Sequence, residues 1–63
     1  MIDTIKFNLK LNSIDNILIT IKGCEVLTYK NNKLTNNILY YDFEEIKTLV
    51  INLLWLGYER VKQ

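Results

Sequence analysis

Asp42-Phe43-Glu44-Glu45-Ile46-Lys47-Thr48-Leu49-Val50-Ile51-Asn52-Leu53-Leu54-Trp55-Leu56-Gly57 carries a helix start, a helix body and a helix stop in one run. Asp42, three residues before Glu45, approximates a capping box. Its short carboxylate can accept from free N–H groups of the first turn, and Glu44 and Glu45 suit the positive end of the helix dipole. Gly57 is suited to the left-handed step that ends a helix in a Schellman motif, so the spacing predicts a helix over residues 43 to 56. Ile46, Leu49, Val50, Leu53 and Leu56 or Gly57 give it one apolar stripe. Ile51, Leu54, Trp55 and Tyr58 give it a second, about a third of a turn away, where a surface helix normally has a single stripe.

Upstream the periodicity changes to two. Ile5, Phe7, Leu9 and Leu11 alternate with Thr4, Lys6, Asn8, Lys10 and Asn12, the pattern of a half-buried strand. Asn12-Ser13-Ile14-Asp15-Asn16 supplies turn chemistry, and Ile17, Ile19 and Ile21 resume the alternation. Lys22-Gly23 falls where a two-residue hairpin loop belongs. With that loop Ile21 would pair with Cys24, Ile19 with Val26 and Ile17 with Thr28, giving a core face of Ile17, Ile19, Ile21, Cys24 and Val26. The reverse face would hold Leu18 opposite Leu27 and Thr20 opposite Glu25, with Asn16 near Tyr29.

Lys30-Asn31-Asn32-Lys33 is a second turn, because Asn tolerates the left-handed region. Residues 34 to 41 form either one bulged strand or a loop followed by a separate strand. After Gly57, Tyr58-Glu59-Arg60-Val61-Lys62 reads as a short extended tail or an added edge strand, although the pattern also permits continued helix with Val61 inward. The expected architecture is a single α+β domain over residues 1 to 63. It consists of a three- to four-stranded, mainly antiparallel sheet with one C-terminal helix on one face, in the order ββββα, with room for a short terminal strand.

Sixty-three residues bury only about 60% of the surface their unfolded chain exposes. The lone Cys24 forms no disulfide, and the absence of His disfavours a metal staple, which leaves self-association as the way to add stability. A composition 49% hydrophobic and 24% charged is that of a globular chain rather than a disordered one. The net charge of +1 commits the protein to neither nucleic acid nor an anionic membrane. The amino terminus lacks the pattern of a secretory signal, and the apolar run is about half the ~20 residues a spanning helix needs. A cytoplasmic protein without a membrane partner is therefore expected. The surplus of Ile, Asn, Lys, Leu and Tyr, all served by AT-rich codons, suits a low-GC bacterium or a phage or plasmid living in one.

Catalytic equipment is sparse. Cys24 has no histidine to pair with and reads as a small buried apolar residue. Asp42, Glu44 and Glu45 splay apart at a helix start and read as a cap rather than a metal or acid–base pair. No enzyme activity, metal or cofactor is expected. Lys6, Lys10, Lys22 and Lys30, with Tyr29, outline a sheet face that would neutralise phosphates and stack bases. A solvated lysine face is the simpler reading of those positions.

Trp55 with Ile51, Leu54 and Tyr58 is the strongest candidate site, since Trp and Tyr dominate interface hot spots. The bland alternative is a helix engulfed by its own sheet. The expectation is thus a protein-binding domain, homodimeric and engaging another protein, using Ile51, Leu54, Trp55 and Tyr58 on the helix and Leu18 and Leu27 on the sheet. Its alternative is a nucleic-acid-binding module.

Overall fold

The computed structural model describes residues 4–9 and 14–61. Five strands and one helix follow one another as β1 (Thr4–Leu9), β2 (Ile17–Lys22), β3 (Glu25–Lys30), β4 (Lys33–Leu39), α1 (Phe43–Trp55) and β5 (Tyr58–Arg60). The strands form one antiparallel sheet in the spatial order β4-β3-β2-β1-β5. This is the expected ββββα arrangement with its terminal strand. Lys10 and Leu11 of the expected first strand, and the Asn12-Ser13 half of the following turn, lie outside the described residues.

Turn chemistry explains the consecutive hairpins. Asn31 and Asn32 both take positive φ, 52° and 69°, the pattern a type I′ loop requires. That loop is tied to the chain entering β2: the Asn31 N–H donates to the Asn16 carbonyl at 2.7 Å, and the Asn16 N–H donates to Asn31 Oδ1 at 2.9 Å.

The β2–β3 hairpin corrects the sequence reading. Lys22 pairs with Glu25, so the two-residue loop is Gly23-Cys24 rather than Lys22-Gly23. Gly23, at φ +62°, supplies the single positive φ at the first loop position that a type II′ turn uses. Ile21 therefore pairs with Val26, Ile19 with Thr28 and Thr20 with Leu27, while Leu18 faces Tyr29. Moving the loop by one residue shifts each partner by two, so every side chain keeps its face while its neighbour changes. Leu18 and Leu27 become diagonal neighbours, and Cys24 is exposed in the loop instead of buried in the core.

Residues Lys33–Leu39 form one bulged strand. Tyr29 pairs with Leu34 and Thr28 with Asn36, which leaves Thr35 as the extra residue. Its hydroxyl donates to the Thr28 carbonyl at 3.2 Å, satisfying a polar group inside the irregularity. β4 is exposed along its whole length.

α1 starts and stops where its caps dictate. Asp42, in extended conformation, accepts from the Glu44 N–H at 2.9 Å, and the Glu45 N–H donates to the Asp42 carbonyl at 3.1 Å. Leu56 is the C-cap and Gly57 follows at φ +96°, its N–H donating to the Leu54 carbonyl at 3.2 Å. That turn reverses the chain into β5, where Tyr58 pairs with Leu9 and Arg60 with Phe7. The core lies between α1 and one sheet face. Phe7, Ile19, Ile21 and Val26 come from the strands, Ile46 and Leu53 from the helix, and Ile5, Tyr40, Leu49, Val50 and Tyr58 pack around them. Burying each large aliphatic or aromatic side chain contributes about 1.5–3 kcal/mol.

Candidate protein-interaction surface

Only one of the helix's two apolar stripes meets the sheet. Ile46 and Leu53 are buried with Leu49 and Val50 beside them, whereas Ile51, Leu54 and Trp55 are 57%, 54% and 85% exposed. Leu56, expected to extend the inner stripe, is 64% exposed because the helix has already ended there. Tyr58 also departs from the expected outer stripe. Gly57 turns it out of the helix onto the sheet's core face, where it is half-buried against the core.

Phe43, absent from the sequence-derived site, joins the exposed flank at 69% exposure. Positions 43, 47, 51 and 54 recur at helical spacing, so the stripe that begins at Ile51 in the sequence reading extends two turns toward the N-terminus through Lys47. Lys47 does not interrupt it. Its ammonium lies 5.0 Å from the Phe43 ring centre and 3.6 Å from Glu44 Oε1, and the residue lines the same groove as Phe43 and Ile51. Beneath the flank, Ile5, Phe43, Ile46, Lys47, Val50 and Ile51 line an open groove of about 380 Å³ between α1 and the β1 side of the sheet.

The far face of the sheet carries the other expected interface residues. Leu18, Leu27 and Tyr29 are half-buried there, and Leu34 and Leu39 on β4 continue the patch at 54% and 47% exposure. The sheet itself separates this patch from α1, so Leu18 and Leu27 do not share a surface with Ile51, Leu54 and Trp55.

The lysines also divide. Lys6 and Lys22 share the far face with Tyr29, and Lys22 sits across from Glu25. Lys30, in register with Ile17, falls on the core-facing side, 3.5 Å from Asp15. Lys10 lies outside the described residues. Register thus places Lys30 on the opposite side of the sheet from Lys6, Lys22 and Tyr29.

Several polar groups at the start of α1 are committed to local structure. Asp42 caps α1, Glu44 pairs with Lys47, and the Thr48 hydroxyl donates to the Glu44 carbonyl at 3.0 Å. A cleft of about 280 Å³ between the Gly23-Cys24 loop and the start of α1 is bordered by Cys24, Tyr40, Tyr41, Asp42 and Phe43. Among the described residues, no three His, Cys, Asp or Glu side chains converge on a point, and no helix is long and apolar enough to cross a membrane. Comparison with protein-family models, with curated proteins and with solved structures finds no match to this chain.

Proposed function

We propose that this chain is a non-enzymatic protein-interaction domain that works through the outer flank of α1, associating with itself and engaging another protein. The observation that carries the reading is the exposure of Phe43, Ile51, Leu54 and Trp55 in a row on one element. Contiguous apolar patches of a few hundred Å² on small proteins mark interaction sites, and Trp is among the residue types that most often anchor them. A short accessory protein of a phage or other mobile element, blocking a host factor, fits the AT-rich residue usage.

The second reading is nucleic-acid binding through Lys6, Lys22 and Tyr29 on the far face. It is supported by their shared side of the sheet and weakened by the net charge of +1. Salt separates the two, because phosphate contacts lose affinity steeply as salt rises while an aromatic–aliphatic contact holds or tightens. The test captures partners from the native host at low and high salt, with and without nuclease. It compares Lys6→Glu plus Lys22→Glu with Ile51→Asp plus Trp55→Ser, after circular dichroism has verified that both fold. We expect the helix pair to abolish capture and the lysine pair to leave it intact. A salt-sensitive capture lost only in the lysine pair would replace the protein-interaction reading with the nucleic-acid one.

A further inference from the structure

We infer that the occupant of the α1 flank is the same flank of a second copy, packed antiparallel about a two-fold axis midway between Phe43 and Trp55. The inference rests on the protein-interaction reading and specifies its partner. Area is the first argument. Phe43, Ile51, Leu54 and Trp55, exposed to 69%, 57%, 54% and 85%, present on the order of 500 Å² of side-chain surface, taking roughly 150–250 Å² for each whole large side chain. That is about a tenth of the 5064 Å² of the chain, the share of a small protein's surface that a standard interface covers. The Lys47 stem, Glu44 and Thr48 at its rim bring the flank toward the ~800 Å² per partner that such interfaces use.

Shape and charge favour a copy of the flank over a different surface. The patch is one helix long and narrow, and a second helix of the same length can match it ridge into groove along its whole extent. Antiparallel overlap of the whole flank sets Phe43 against the partner's Trp55 and Lys47 beside the partner's Ile51. It also keeps the two acidic first turns, each carrying Glu44 and Glu45, at opposite ends of the pair. The two Lys47 ammonium groups do not collide, because each is drawn toward its own Glu44 and Phe43, one turn back and away from the axis. A parallel pairing would instead bring like ends of the helices and like charges together.

Register makes the arrangement testable by cross-linking. At an interaxial distance of about 8–10 Å, residues that face each other across the pair bring their Cα atoms to about 5 Å, within disulfide reach. Residues offset by about four positions along the axis gain roughly 6 Å of separation and fall outside it. In a Cys24→Ser background, Lys47→Cys chains mixed with Ile51→Cys chains of distinguishable size should therefore oxidise mainly to the mixed dimer, with little self-linked product from either. Light scattering of the unmodified protein should give twice 7.5 kDa, and Trp55→Ser should raise the dissociation constant about tenfold or more. Self-linked products in excess of the mixed one, a monomer at all concentrations, or a dimer indifferent to Trp55→Ser would each overturn the inference. A monomer whose capture of a host protein is still lost on Ile51→Asp plus Trp55→Ser would overturn this pairing while leaving the protein-interaction reading standing.

Discussion

Asp42 shows how one side chain sets an element boundary. The first N–H groups of a helix have no partner within it, and the Asp42 carboxylate accepts one of them, from Glu44, at 2.9 Å while its carbonyl begins the helical ladder. Asp42→Ala should destabilise the fold by about 0.5–2 kcal/mol in chemical denaturation. Self-association should change only through that loss, because Asp42 lies before the flank. A stability unchanged by the substitution, together with loss of a divalent-ion-dependent activity, would instead make the carboxylate a functional ligand. Gly23, Asn31, Asn32 and Gly57 act in the same local way, each occupying a positive φ that β-branched or bulky residues resist. The β2–β3 loop, the β3–β4 loop and the helix stop are built on these four residues.

At the scale of elements, β4 is the vulnerable strand. It is exposed over seven residues, Lys33–Leu39, with Leu34, Ile38 and Leu39 all more than 40% exposed, and Lys33 is its only charge. Long apolar edges template pairing with other chains, and the bulge at Thr35 twists this one out of a flat ladder. Deleting Thr35 leaves Tyr29–Leu34 and Thr28–Asn36 as successive ordinary pairs, so the domain should still fold. Its edge should become regular, and light scattering at high concentration should reveal aggregates that the parent protein does not form. A deletion variant as well behaved as the parent would mean that the bulge does not guard the edge. Strands, turns and helix bounds were legible because each is written in a local period or cap: the alternation from Ile5, the isoleucines of β2, the paired asparagines and Asp42. The loop at Gly23-Cys24 was misplaced by one residue because both placements keep Ile19, Ile21 and Val26 on one face, so face patterning could not choose between them. The tail reads as either strand or helix because β5 exists only through its pairing with β1, some fifty residues earlier in the chain.

For the whole molecule, the legible part of the candidate site was that α1 has more apolar surface than one sheet face can cover. Which stripe stays outside depends on how the helix docks, a long-range outcome that local sequence does not encode. Phe43 and Leu56 therefore emerged as exposed, and Tyr58 as half-buried, only in the assembled fold. The core that results is small: among the described residues, six apolar side chains are buried. At roughly 0.05–0.15 kcal/mol per residue such a domain has about 3–9 kcal/mol of stability, so a contact that adds even a fraction of a kilocalorie per chain is measurable. Association through the flank binds the folded chain and not the unfolded one, which links stability to concentration. Each tenfold rise above the dissociation constant adds about 1.4 kcal/mol per dimer, or about 0.7 kcal/mol per chain. For a domain of this size that corresponds to a Tm increase of about 3–5 °C. Thermal melts over two decades of concentration should show that slope for the parent protein. Trp55→Ser should share the parent's dilute-limit Tm and begin to rise only at concentrations about tenfold or more higher, because an 85%-exposed side chain contributes little to the fold of a single chain. A parent Tm independent of concentration would mean that the domain is stable alone and that its flank is not covered by a second copy.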